Sequence, residues 1–212
     1  MAFSSMAASD NVDSFIACLK AQRATVSLAT LTRGAVEAFG RAYFLLKAKS
    51  DIDFFVRYLS LTHEELKYPE RHSGMTDANG NEIDGRAYRG EMVELSTKLG
   101  ASKLMRVDLS SLVAEVLEPM VDGPLDLAIY SQLSGVAHGT SSAIGMFLAP
   151  GATRTELIFP RDIALEYTGY LYAAAVTVTE RVIEIFQPDE AVQDRWTAAR
   201  NRSSIALAEL RR

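Results

Sequence analysis

Two rows of polar side chains stand out in the 212-residue chain, each with its members four residues apart: Arg33, Glu37 and Arg41, and Tyr130, Ser134 and His138. On a helix that spacing places each row on one side. The residue types suit proton transfer beside an anion. A guanidinium grips phosphate or carboxylate through paired N–H groups, an imidazole exchanges protons near neutral pH, and a carboxylate orients whichever of the two it touches. Thr140, Ser141 and Ser142 extend the second row in the stretch YSQLSGVAHGTSSA.

Each row has two readings. Arg33, Glu37 and Arg41 form either an intrahelical ladder worth about a few tenths of a kcal/mol per pair, or the lining of an internal polar pocket. Val26, Val36, Tyr43 and Phe44 flank the row, so the helix that carries it is apolar almost all round, as expected for one covered on several sides. His138 is either a structural histidine on an apolar helix or a general base. Contact with Glu37 would orient its imidazole as the third member of a triad does.

Other constellations carry less. His63-Glu64-Glu65 lacks the second histidine of a zinc-protease helix, and His63, His72 and His138 are the chain's three histidines, so no metal site is expected. The chain contains no Gly-rich phosphate loop, nucleophile elbow or dinucleotide fingerprint, and no cofactor is expected. The C-terminal stretch sets Arg195, Arg200, Arg202, Arg211 and Arg212 among Ala191, Val192, Trp196, Ala199, Ile205 and Leu207. It reads as a packed amphipathic helix with a basic solvated face, nucleic-acid binding being the alternative.

The elements that must position these rows are helical. Leu28, Leu31, Ala35, Ala38, Phe39, Ala42, Leu45 and Leu46 make an apolar stripe within a helical region over 11–49 that breaks near 21–25. Ser50-Asp51 reads as the start of a helix that continues to Pro69. Further helices are predicted over about 85–99, 108–120, 124–147, 160–186 and 188–211, with Asp108, Asp122, Pro188 and Asp189 near the starts. Gly135 and Gly139 flank the second row and mark close backbone approach, a kink or a break at Gly139. The turn-rich segment 71–85 reads as a long exposed loop without strands, and 153–159 as the one extended piece. The expected fold is all-α, an up-and-down bundle in a single domain with an additional C-terminal helix, its first ten residues frayed.

Composition agrees with a globular protein: 48% hydrophobic, 23% charged and a formal net charge of −5, which does not predict general electrostatic binding of nucleic acid. A single cysteine, Cys18, excludes an intramolecular disulfide and a thiolate-only metal site, which suits the cytoplasm. The start has no Lys or Arg and no long apolar run, unlike a secretory signal. No transmembrane helix and no membrane association are expected.

With these residues in view, the blocks LTRGAVEAFGRAYFLL, FFVRYLSL and YSQLSGVAHGT resemble, in order from about Leu31 to Trp196, a group of bacterial helical proteins similar to the HEPN superfamily. The resemblance implies a helical bundle, often dimeric. Some members of the superfamily cut RNA in toxin-antitoxin and phage-defence systems. Active members place an Arg before a His, with four to six residues between them, in a composite dimer site. Here His138 keeps the histidine, while Leu133 stands where the arginine belongs and Ser134 where the following polar residue belongs. Arg57 and His63 satisfy the looser spacing only. Arg33 or Arg41 would then have to supply the guanidinium from another helix. The expected reading is a HEPN-like homodimer, either a divergent metal-independent endoribonuclease or a member that binds RNA, nucleotide or an antitoxin. In the enzyme His138 is the base, Arg33 and Arg41 bind phosphate, Glu37 orients, and Tyr130, Ser134 and Thr140 assist in binding substrate. The alternative is a non-catalytic interaction module with a buried Arg-Glu-His network that sets helix register.

Overall fold

The apolar spacing of the sequence is realised as helix along most of the chain, and the fold class is all-α. The computed structural model describes residues 2–21, 26–67, 75–76, 79–120, 128–150, 155–158 and 160–210. The helices are α1 (Ala2–Lys20), α2 (Ser27–Leu46), α3 (Asp51–Glu65), α4 (Gly85–Lys98), α5 (Leu109–Leu117), α6 (Ala128–Ala137), the single turn α7 (Ser141–Ile144), α8 (Arg161–Phe186) and α9 (Glu190–Leu210). They fall into two compact units, Met1–Tyr43 with Leu109–Arg212, and Phe44–Asp108.

In the first unit α5 packs on α8 and α6, and α9 packs on α8. The core is largely aliphatic with three aromatics: Phe15, Leu28, Val36, Val113, Val116, Leu117, Leu133, Val136, Phe147, Tyr167 and Val176 are all essentially inaccessible. Val36, which flanks the polar row of α2, is 0% exposed, so that helix is covered well beyond its main stripe. Two glycines of α2 let its neighbours approach. A Cβ on Gly40 would stand 2.9 Å from the main-chain oxygen of Leu112 in α5, whereas one on Gly34 would meet the movable side chain of Asn11 in α1 at 3.0 Å.

Gly40→Ala is therefore expected to lower stability by about 1–2 kcal/mol, overpacking outweighing the gain in helix propensity. Gly34→Ala should be close to neutral, because Asn11 can turn away. Urea midpoints of the two variants check the contrast, and equal midpoints would count against the Gly40 contact.

The start of the chain differs from expectation. Residues 2–10 are the first half of α1 rather than a frayed end, with Ala8 fully buried and Asn11 Nδ2 donating to the carbonyl of Ala7 at 2.8 Å. Alanine's high helix propensity and the burial of one face account for it.

Tyr167 is buried at 0% exposure, and that burial, with the charge of Glu166, pushes its phenol up from 10.0 to about 12. Burial and a hydrogen bond to Glu166 push Tyr170 higher still. The sign follows from linkage: a phenol that holds its proton in the folded state but releases it in the unfolded one stabilises fully below pH 10, and that contribution fades as pH rises toward 12. Urea midpoints should fall over this window, and less steeply in Tyr167→Phe. Identical slopes would refute the shift.

In the second unit α3 packs on α4, around Val56, Leu59, Leu61, Leu66 and Met92. Ser50 caps α3 as the sequence predicts: its hydroxyl accepts from the N–H of Asp53 at 3.2 Å, and Asp53 Oδ2 accepts from the N–H of Lys49, one residue before the cap, at 2.9 Å, a variant of the capping box. That main-chain bond, with Arg57 beside it, holds the Asp53 carboxyl below its usual range despite some desolvation. The expectation of no strands within 71–85 is corrected. β1 (Met75–Thr76) pairs antiparallel with β2 (Glu82–Ile83), with Gly80 between them at φ +83°. Thr76 and Glu82 are exposed, so main-chain bonds and a glycine turn hold this ladder, and no alternating apolar face is needed. Residues 71–74 and 77–78 lie outside the described ones.

Candidate functional site

The second polar row ends where its helix ends. At the C-terminus of α6 the N–H of Gly139 donates to Val136 O at 3.0 Å and that of Thr140 to Gly135 O at 2.9 Å, with Gly139 at φ +67°. This is a Schellman motif with His138 as the capping residue and Gly139 in the left-handed position that L side chains avoid. The predicted helix over 124–147 is thus divided at Gly139. After α7 and one 3-10 turn (Gly145–Phe147) the chain enters β3 (Leu148–Pro150), which pairs with β4 (Thr155–Leu157). The helix start expected at 122–124 lies outside the described residues.

Arg33, Glu37, Tyr130 and His138 meet in the first unit, between α2 and α6. Arg33 Nε donates to Glu37 Oε1 at 2.7 Å, its Nη2 to the Tyr130 hydroxyl at 3.3 Å, and its Nη1 lies 3.2 Å from His138 Nε2. The Tyr130 hydroxyl donates onward to Glu37 Oε1 at 3.0 Å, closing a ring of three groups. The guanidinium carbon stands 5.5 Å from the centre of the Tyr130 ring, within cation–π range. A guanidinium has five N–H donors and accepts nothing. These contacts use three of them and leave two.

The cluster grades from protected to open. The side chains of Glu37 and Arg33 are 14% and 21% exposed, Tyr130 is half-buried, and His138 faces water. Burial alone would weaken the proton affinity of Arg33, but its bonds to Glu37 and Tyr130 outweigh this and raise it. The Tyr130 phenol is raised too, by burial first and then by the Glu37 charge, against the lowering influence of Arg33. Both groups therefore keep their protons across the physiological range, and Tyr130 remains a donor to the carboxylate.

Since Arg33 can only donate, a hydrogen bond here makes His138 Nε2 the acceptor, with the proton of the neutral imidazole on Nδ1. The expected direct contact between Glu37 and the imidazole is replaced by a relay: Glu37 holds Arg33, and Arg33 holds His138. Thr140 lies just beyond α6 and makes a local contact. Its hydroxyl donates to Gly135 O at 3.2 Å and closes the end of α6, a local cap. Ser134 is half-buried between Tyr130 and His138, and its carbonyl accepts from the His138 N–H at 2.9 Å. Arg41 follows one turn beyond Glu37, also half-buried.

In the second unit Arg57 is a fastener. It pairs with Asp53 at 3.0 Å, donates to Phe44 O at 3.1 Å and lies 4.8 Å from the centre of the Phe44 ring. His63 instead meets Arg89 of α4, Nη2 to Nε2, at 3.2 Å. Nothing in the spacing of Arg89 announces that pairing, because it joins two helices far apart in sequence. His72 lies outside the described residues. Among the described residues no group of three or more His, Cys, Asp or Glu is placed to hold a metal ion, and no helix is long and apolar enough to cross a membrane. On α9, Arg200 bonds Glu180 of α8 at 2.5 Å, and the Tyr172 hydroxyl donates to Arg200 O at 3.2 Å, so at least one of its arginines serves helix packing. No protein-family model, curated protein or solved structure matches the chain.

Proposed function

We propose that this cluster is the site of a divergent, HEPN-like, metal-independent endoribonuclease, acting as a cytoplasmic homodimer in a toxin-antitoxin or phage-defence system. The observation that carries the reading is the exposed His138 imidazole held 3.2 Å from the Arg33 guanidinium. A proton acceptor beside a phosphate-binding fork is the minimum for transesterification of RNA. In that reaction His138 takes the proton of a 2′-hydroxyl, the 2′-oxygen attacks phosphorus, and the bond from phosphorus to the 5′-oxygen breaks. The 5′-oxygen leaves with a proton from solvent, giving a 2′,3′-cyclic phosphate and a 5′-hydroxyl end. Arg33, seated by Glu37 and Tyr130, binds the phosphoryl oxygens with Arg41 in support. The arginine missing from the position of Leu133 is supplied by α2. RNA cleavage and growth arrest on expression, for the wild type beside His138→Ala and Arg33→Ala, test the reading.

A second reading rests on the closed ring of Arg33, Glu37 and Tyr130. The guanidinium already has a carboxylate, so the cluster serves equally as a polar clasp that sets the register of α2 against α6 in a non-catalytic interaction module. That reading expects no cleavage and a loss of stability when the ring is opened.

A further inference from the structure

The geometry of Arg33 and His138 has a consequence for how such a site is switched on. With its proton on Nδ1 and the lone pair of Nε2 engaged by Arg33 Nη1 at 3.2 Å, the imidazole has no free lone pair to offer a substrate. We infer that the structure is a masked resting state, and that a phosphate-bearing ligand unmasks His138 by drawing the Arg33 N–H groups onto its own oxygens. This rests on the proposed phosphate-binding role of Arg33, but concerns its regulation.

Three features support the exchange. First, the contact that must break is long, 3.2 Å against 2.7 Å for the bond to Glu37. A neutral imidazole nitrogen is a poorer acceptor for a guanidinium than an anionic phosphate oxygen, whose charge-assisted bonds are roughly twice as strong and come in pairs. Second, the guanidinium is anchored by the end that need not move. Arg33 Nε stays on Glu37 at 2.7 Å, the shortest contact of the cluster, while the terminal Nη groups swing toward the incoming oxygens. Third, the open edge of the cluster is where ligand would arrive. His138 is exposed, whereas Glu37 is only 14% exposed, and the Schellman cap holds the main chain of His138 in place while its ring turns.

The masking also gives selectivity. A ligand without an anionic group has nothing comparable to offer the guanidinium, so Nε2 stays occupied and stray proton abstraction is suppressed. The class of ligand that releases the base is thus the class that carries the reacting group.

Nitrogen-15 NMR of the histidine rings in the full-length protein tests this, with His138 assigned from the loss of its signals in His138→Gln. In the wild type, Nε2 should have the signature of a hydrogen-bonded acceptor and Nδ1 that of a protonated nitrogen. Adding inorganic phosphate, or a 2′-deoxy dinucleotide that cannot be cleaved, should move Nε2 toward the position of an unbonded acceptor. In Arg33→Ala it should already be there without ligand, and phosphate should move it no further. An Nε2 signal alike in wild type and Arg33→Ala would overturn the masked state, and so would phosphate that binds through Arg33 while Nε2 stays unchanged. Unmasking by phosphate in a protein that cleaves no RNA would overturn the ribonuclease reading while leaving this inference standing.

Discussion

His138→Ala is expected to lower RNA cleavage by about 10²–10⁴-fold, the range contributed by a positioned general acid or base, while leaving the unfolding midpoint close to that of the wild type. The second half follows from exposure. The imidazole faces water and gives up one contact, with Arg33, so its removal opens no cavity and strands no buried group. Arg33→Ala should cost cleavage about 10²–10³-fold, as expected for losing a charged donor to the reacting phosphate. It should also destabilise, because Glu37 and Tyr130 lose their central partner. Arg33→Lys keeps the charge but lacks the fork that serves Glu37, Tyr130 and the ligand together. It should fall between the two. Wild-type rates in both His138→Ala and Arg33→Ala would end the catalytic reading and leave the clasp.

Glu37→Ala should lower the free energy of unfolding by about 2–3 kcal/mol, well beyond the about 0.3–0.5 kcal/mol of an exposed pair one helical turn apart. The Glu37 carboxylate is 14% exposed and one of its oxygens accepts from both Arg33 and Tyr130. Its removal leaves a guanidinium and a phenol without that acceptor in a partly dehydrated place. Tyr130→Phe should cost less, about 1 kcal/mol, and the double variant less than the sum of the two, because they share one bond. Urea denaturation of the four proteins measures this. A Glu37→Ala loss under about 0.5 kcal/mol would mean the carboxylate behaves as a solvated ladder member, and the ring would then be incidental to stability.

Both experiments turn on rows that are visible in the sequence but whose meeting is not. Four-residue spacing puts Arg33 and Glu37 on one side of α2, and Tyr130 and His138 on one side of α6, whatever else the chain does, because the helical repeat imposes it. Helix starts were equally legible where a side chain does the capping, at Ser50 before α3 and Asp189 before α9. Legibility failed where main-chain partners or burial decide. The helix over residues 2–10 depends on burying Ala8, and the ladder between β1 and β2 has no alternating apolar pattern to betray it. For Thr140, nothing local in the sequence distinguishes a hydroxyl that lines a site from one that bonds at a helix end. Arg57 and His63, six residues apart along α3, satisfied a motif, yet Arg57 pairs with Asp53 and Phe44 and His63 meets Arg89.

By itself the sequence determined the all-α class and the polar rows on their helices, and it marked Gly139 as a place of close approach, kink or break, since these follow from periodicity and from the φ range open to each residue type. Only the tertiary structure decided that Arg33 stands against His138 and Tyr130, and that Glu37 acts on the imidazole through the guanidinium. A helical repeat says which side chains share a face. It does not say which faces meet, and that depends on side-chain volumes, such as the missing Cβ of Gly40 that admits α5 against α2.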